Sequence, residues 1–458
     1  MLKKIYGSFR DYQNQVYDFD NIIIRQIIKE KKKDYLNILN SEFYFENKNN
    51  IIETSIAEEN ITQLFPNYKN DLFLIHKKLE FISYPVEWPF FLYKKCSLFH
   101  LDLHIEALKY NYNIIDSSPY NIQFVKGLKP VFIDFGSIVY YEENQPWLGY
   151  KQFCEQFLGP LLIEDYAKIN FQEILNYNLE GVDISTTSRI LPIKSYFNLN
   201  ILLNIHLHSY FINKVDSKSK NKSKKKLLNK NNFIHLLESI KNLITSLNPN
   251  INSYWKNYEI KDSYNVISEG EKKTILINFI KQNKIQKLID LGCNEGIFSE
   301  IALNNGCEYV LGVDSDYASL QKSCLRAETK SLNFLPLFID LTEPTPNLGF
   351  NNLERDSFLS RSKIFDGLIA FALIHHLFLS KNIPLDKIVD LFLSLSPKGV
   401  IEFVPSGDPQ FKELIKNKSL KNYDYSEKGF EFFLKKKTKI IKKIKLKNSL
   451  RTLYIYEK

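Results

Sequence analysis

Leu288-Ile289-Asp290-Leu291-Gly292-Cys293-Asn294-Glu295-Gly296 decides how the second half of this chain folds. Lys287–Leu291 is a short apolar run around one acid, the pattern of a strand buried on both faces. Gly292 and Gly296 then frame a tight turn that opens a helix over about Ile297–Asn305. Glycine belongs where a ligand must come close to the backbone, because a Cβ would block it. Asn294 stands between the two, and asparagine tolerates the left-handed angles that such a turn requires.

Outward from this turn, strands alternate with helices. A helix is expected over about Glu271–Lys281, then a strand at Tyr309–Val313 and a helix at Tyr317–Thr329. Further strands are expected at Phe334–Ile339, Gly367–Leu373 and Val400–Val404. This alternation implies a parallel, doubly wound sheet. Thr438–Lys445 and Arg451–Tyr456 read as an antiparallel pair that closes it. Three acids mark three successive strand ends: Asp290, Asp314 after 24 residues and Asp340 after 50. All three fall on the carboxyl edge of the sheet, where a carboxylate at Asp314 can accept both hydroxyls of a ribose.

The fourth strand runs into Ala372-Leu373-Ile374-His375-His376-Leu377. Imidazole titrates near neutral pH, so His375 or His376 is expected to orient or deprotonate a substrate. Glu402, on the fifth strand, is a further candidate for the same crevice. Leu341–Lys363, between strands three and four, is too long for a plain crossover. Its Glu354, Arg355 and Arg361 either bind an acidic substrate or form surface pairs.

These features resemble the class I S-adenosylmethionine-dependent methyltransferases, whose turn reads acid-x-Gly-x-Gly-x-Gly; Asn294 replaces the middle glycine. A Rossmann-like sheet with a terminal hairpin is the usual shape of that class. The resemblance implies S-adenosyl-L-methionine as cofactor. Asp290, Gly292, Asn294 and Gly296 would surround its amino-acid end, Asp314 its ribose and Asp340 its adenine.

In the first half, Ile114-Ile115-Asp116-Ser117-Ser118-Pro119-Tyr120-Asn121 is followed by Val131-Phe132-Ile133-Asp134-Phe135-Gly136. The spacing is similar to the catalytic loop and Asp-Phe-Gly segment of kinases. That resemblance makes Asp116, Asn121 and Asp134 candidates for a nucleotide–magnesium site, with ATP as the ligand. No G-x-G-x-x-G loop or V-A-I-K strand precedes them. His100 and His104 lie one helical turn apart without a third ligand at evident spacing, so no metal site is expected.

The chain as a whole resembles a bacterial family of class I methyltransferases related to rhizobial nodulation host-specificity proteins. The stretches that carry this are Glu87–Phe90 (EWPF), His100–Leu108 (HLDLHIEAL), Asp116–Phe124, Pro130–Ser137 (PVFIDFGS) and Leu191–Phe197 (LPIKSYF). In the second half they are Asp290–Gly296 (DLGCNEG), Ala372–Leu377 (ALIHHL), Asn382–Leu385 (NIPL) and Ile401–Pro409 (IEFVPSGDP). The resemblance implies methyl transfer and names no acceptor.

With 458 residues and 44% hydrophobic content, the chain is globular and large enough for two or three domains. Its net charge of +9 is concentrated: residues 212–232 hold eight lysines against Asp216, and 435–447 hold eight lysines with no acid. The remainder is mildly acidic. Such runs either bind phosphate backbones or are solvated. The five cysteines form no C-x-x-C pair, which fits a reducing cytosol. The N-terminus lacks an apolar core, and no run of about 18 apolar residues occurs, so neither a signal peptide nor a membrane partner is expected.

The expected architecture is an α+β kinase-like domain at 1–211, a lysine-rich connection at 212–270 and an α/β Rossmann-like methyltransferase domain at 271–458. The expected acceptor is a small molecule or glycan-like compound. RNA- or protein-directed methylation, or nucleotide sensing through an inactive kinase-like domain, stays open.

Overall fold

The computed structural model describes residues 2–175, 178–217, 229–249, 266–416 and 425–458. Residues 218–228 of the lysine-rich connection, and its aromatic segment at 253–264, lie outside them. Contacts divide the chain into two units. The first comprises Met1–Val125, Pro130–Asn250 and Asn347–Asp356; the second comprises Lys126–Lys129, Ile251–Pro346 and Ser357–Lys458.

The first unit begins with β1 (Lys3–Lys4), β2 (Asn14–Phe19), β3 (Ile22–Ile27), β4 (Thr54–Ile56) and β5 (Leu72–Lys77). They form an antiparallel sheet in the order β1-β2-β3-β5-β4. Ile24, Ile61, Phe65 and Phe73 make its core cluster. Next come a helix at Phe90–Lys109 and the short strands β6 (Tyr112–Ile114), β7 (Ile122–Val125), β8 (Lys129–Phe132) and β9 (Ile138–Tyr140). β6 pairs with β9, and β7 with β8. The rest is helical. In the helix Lys230–Ser246, Phe233, Leu237, Ile240 and Ile244 recur at helical spacing and are buried. That stripe drives it onto a partner, here the helix Phe90–Lys109. The Asn229 side chain caps its start by accepting from the Asn232 N–H at 2.9 Å.

The second unit is a seven-stranded sheet of β10 (Lys287–Leu291), β11 (Tyr309–Asp314), β12 (Phe334–Phe338), β13 (Gly367–Ala370), β14 (Lys398–Phe403), β15 (Lys439–Lys445) and β16 (Thr452–Glu457). The order is β12-β11-β10-β13-β14-β16-β15. The first five strands are parallel; β16 runs antiparallel to both of its neighbours. Leu288, Ile289 and Leu291 on β10 are fully buried, each worth about 1.5–3 kcal/mol in transfer free energy. The alternation read from the sequence is therefore a mixed, mostly parallel α/β sheet.

One expected strand is shorter than the sequence implied. β13 stops at Ala370, not Leu373, because Ala372 takes a left-handed φ of 50° and turns the chain into the helix Ile374–Lys381. The basic run at 435–447 forms the end of a helix and the strand β15. Its lysines are exposed or at the surface, where Lys443 pairs with Glu427 and Glu431 at 3.2 and 2.7 Å.

Candidate functional site

The glycine turn sits where β10 ends, and its two glycines do different work. Gly292 and Gly296 have φ of 74° and 75°, and Asn294 has 48°, so all three use the left-handed region. A Cβ on Gly296 would lie 2.5 Å from Cε1 of Phe334, so this glycine is demanded by packing. A Cβ on Gly292 would meet nothing closer than Leu373 Cδ1 at 3.5 Å. Gly292 therefore leaves a cradle open beside the loop that follows β13. The helix Ile297–Asn304 starts immediately after the turn and aims its N-terminal dipole there.

The strand-end acids have distinct environments. Asp290 is buried and accepts from Ser299 Oγ at 2.7 Å. Burial pushes its carboxyl up to about 7, Ser299 opposes the shift and the charge of Asp314 adds to it. Asp314 accepts from the Asn294 N–H and the Asp316 N–H, both at 2.8 Å. Burial raises its pKa, against the pull of these backbone bonds. The asparagine that replaces a glycine thus serves through its N–H, which fixes the Asp314 carboxylate. Asp340 differs: burial would raise it, but Lys381 at 2.7 Å and Thr342 at 2.6 and 2.9 Å outweigh that and lower its pKa.

The histidine turn is held from below. Glu402 on β14 is fully buried and accepts from the Ala372 N–H at 2.8 Å, so it grips the left-handed residue that ends the neighbouring strand. Two buried cations balance it: Lys272 at 2.6 Å and Arg451 at 3.5 Å. Arg451 also donates to Asp408 at 2.8 and 3.1 Å and to Gln410 at 2.6 Å. Sequence reasoning missed Lys272 and Arg451. Glu402 was read as a pocket acid, but its carboxylate is committed to this network.

His375 and His376 follow, with ring centroids 4.2 Å apart. His375 is fully buried, and neither ring nitrogen has a hydrogen-bond partner among the described residues. Burial lowers its pKa well below the usual range; His376, Arg451 and Lys272 push the same way. Burial and Arg451 lower His376 to about 4. The expectation of imidazoles titrating near neutrality is therefore corrected: both rings are neutral at pH 7 and bind a proton poorly.

Asp116, Asn121 and Asp134 belong to the first unit. Gln152 Nε2 donates to Asp116 at 2.6 Å. The Asn121 side-chain nitrogen is buried without a partner among the described residues. Burial raises the Asp134 pKa, Arg25 opposes and Asp116 adds repulsion. Arg25, on β3, reaches Asp134 at 3.4 Å, the Ile133 carbonyl at 3.3 Å and His76 at 3.3 Å. No V-A-I-K lysine precedes the segment, yet a strand does place a cation, Arg25, at Asp134. The signal was present as an apolar strand interrupted by one arginine, Ile22-Ile23-Ile24-Arg25. His104 contacts Asn113 at 2.7 Å and His100 contacts Ser117 at 3.2 Å, so each imidazole of that pair has a neighbour inside the unit. Glu354 accepts twice from Arg10, at 2.7 and 3.0 Å, within the first unit, and Arg355 lies 4.9 Å from the Tyr120 ring centroid. The pairing reading of that loop thus describes Glu354.

The curated protein described as nodulation protein NoeA, from Rhizobium meliloti (strain 1021), is 33% identical over 460 residues, covering 99% of this chain and 96% of that one. This chain belongs to the NoeA family. No family model matches it. Among solved structures, the N-methyltransferase NodS from Bradyrhizobium japonicum WM9 is 12% identical, covering 42% of this chain and 96% of that chain, with a TM-score of 0.31. The PH0226 protein from Pyrococcus horikoshii OT3 is 19% identical over 44% of this chain and 98% of that chain, with a TM-score of 0.30. The bifunctional kinase-methyltransferase WbdD is 13% identical over 44% of this chain and 41% of that chain, also with a TM-score of 0.30.

Two outcomes are expected. Gly296→Ala destabilises the second unit by about 2 kcal/mol or more, through overpacking and backbone strain, while Gly292→Ala costs about 1 kcal/mol from strain alone. Thermal unfolding followed by far-ultraviolet circular dichroism separates the two; equal losses would contradict the open cradle. Glu402→Ala strands two buried cations and costs about 3–5 kcal/mol, read as a lower denaturant midpoint.

Proposed function

We propose that the second unit is an S-adenosylmethionine-dependent methyltransferase. The observation that carries this is the open cradle at Gly292 beside a carboxylate, Asp314, already oriented by two backbone N–H groups. The sheet around it has the strand order and reversed final strand usual for class I methyltransferases. These residues fit the ligand: the cradle admits a chain end that a Cβ would exclude, and Asp314 keeps lone pairs for two ribose hydroxyls. Asp340, at the next strand end, is assigned to the adenine side.

When bound, the donor supplies an electrophilic methyl group. The protein's own part is alignment of donor and acceptor. The neutral rings of His375 and His376 suit hydrogen bonding that orients an acceptor nucleophile, more than storage of its proton. The proposed acceptor is a small molecule or glycan-like compound.

Calorimetric titration with S-adenosylmethionine and S-adenosylhomocysteine tests the reading. Wild type binds, and Asp314→Ala weakens binding at least about tenfold without unfolding the chain. A wild type that binds neither ligand sinks the proposal. Binding also carries a pH signature. The Asp290 proton, held up to about 7 by burial, is released when a cationic ligand group arrives nearby, because that group favours the carboxylate. Affinity therefore rises with pH up to about 7, where the free carboxyl ionises, and levels off above it, and Asp290→Asn flattens the rise.

The first unit supports a second reading, a nucleotide-binding module. It rests on the carboxylates Asp116 and Asp134, which repel each other, the Asn121 amide nitrogen, buried without a partner among the described residues, and Arg25 facing Asp134. ATP with magnesium should raise the unfolding temperature of the wild type, and Asp134→Asn should abolish the rise. No shift in the wild type would remove this reading.

A further inference from the structure

The long connection between β12 and β13 gives its segment Asn347–Asp356 to the first unit. Two charged neighbours on it have separate fates. The Glu354 carboxylate accepts from Arg10 at 2.7 and 3.0 Å and from the Phe350 N–H at 2.7 Å, so its lone pairs are engaged. Arg355 has no carboxylate partner among the described residues. Its backbone is pinned by an antiparallel bridge to buried Leu348, with N–H to carbonyl bonds of 3.0 and 3.2 Å. Its Nη1 donates to the Glu354 carbonyl at 3.3 Å, and its guanidinium lies over the Tyr120 ring, 4.9 Å from the centroid. A Cβ on Gly7 would stand 2.5 Å from that Nη1 and 2.7 Å from the Glu354 carbonyl oxygen. The guanidinium thus passes where only a glycine leaves room for it.

The atoms left over say what such a group can hold. With Nη1 turned to a carbonyl, the guanidinium keeps its Nε–Nη2 edge, two parallel N–H groups that match two oxygens of a carboxylate or a phosphate. The Nε is buried and has no hydrogen-bond partner among the described residues. A buried charged donor is costly until an acceptor meets it. Stacking on an aromatic face holds the fork ready, so little side-chain freedom is lost on binding. The Tyr120 ring also walls an apolar recess with Pro85, Val86, Tyr93, Pro119 and Leu175. Gln156 is buried against the same recess, and its side-chain oxygen has no partner among the described residues. Apolar walls with a few placed polar groups are the usual make-up of a small-molecule site.

We propose that Arg355, stacked on Tyr120, is the recognition residue of a ligand site in the first unit, for a small molecule that joins a carboxylate or phosphate group to an apolar ring. Of the two uses that the sequence left open for this loop, Glu354 takes the pairing and Arg355 takes the acidic ligand. The site rests on neither the methyltransferase reading nor the nucleotide reading.

The test is a ligand-observed NMR titration of the full chain, without divalent metal, using phenyl phosphate, benzoate and the neutral benzyl alcohol. The wild type binds at least one of the two anions, and binds benzyl alcohol at least about tenfold more weakly than that anion. Whichever anion binds more tightly names the oxyanion. Arg355→Lys keeps the charge but loses the fork, and weakens the anion at least about tenfold, with an unchanged circular dichroism spectrum. Gly7→Ala weakens it as well, with the arginine still in the chain, because the new methyl group displaces the guanidinium. A wild type that binds neither anion overturns the proposal. So does equal anion binding by the wild type and Arg355→Lys, or a preference for benzyl alcohol.

Discussion

A carboxylate with no exposure to water sits at the centre of the second unit, and the site around it depends on how its charge is met. Glu402 receives a lysine from the helix before the sheet, an arginine from the turn ahead of the last strand, and the N–H of the residue that ends the fourth strand. Each partner comes from a different part of the chain. Ionised groups in so dry a place persist only when paired and hydrogen-bonded. The network therefore fixes which way the backbone leaves β13, and with it where the two histidines begin their helix.

The same cations act on the imidazoles above them. Burial is the main cause that holds His375 and His376 neutral; Arg451 adds to it at both rings and Lys272 at His375, so the pair presents lone pairs and N–H groups without positive charge. On the other side, burial raises the pKa of Asp290 to about 7 and also raises that of half-buried Asp314, against its backbone hydrogen bonds. A cationic ligand group arriving there would favour the ionised form of Asp290.

Much of this was legible from sequence where one residue type has one physical use. The strand–acid–glycine pattern located β10 and the turn, because short buried strands and left-handed positions leave few alternatives. The acids at Asp314 and Asp340 followed from counting to the next strand ends. What escaped depended on pairing across long separations: Lys272 with Glu402, Arg451 with Asp408, and Arg25 with Asp134. A lysine in a lysine-rich chain carries no local sign that it will be buried. The lowered pKa of the histidines was hidden too, since it comes first from burial and then from cations supplied by distant parts of the chain. The end of β13 was misjudged because alanine rarely takes the left-handed angle that Ala372 adopts.

The strand that closes the sheet has a consequence for how the molecule behaves in a crowd. Among the described residues β15 is an edge, paired on one side only, with its other row of amide and carbonyl groups unclaimed by the sheet. Such a row invites a second molecule to add its own strand. Here the strand reads Lys439-Ile440-Ile441-Lys442-Lys443-Ile444-Lys445. Addition of another copy would bring like charges face to face along its length. The lysines of this strand therefore act as a guard against edge-to-edge self-association, a task that needs neither nucleic acid nor catalysis to account for a basic run.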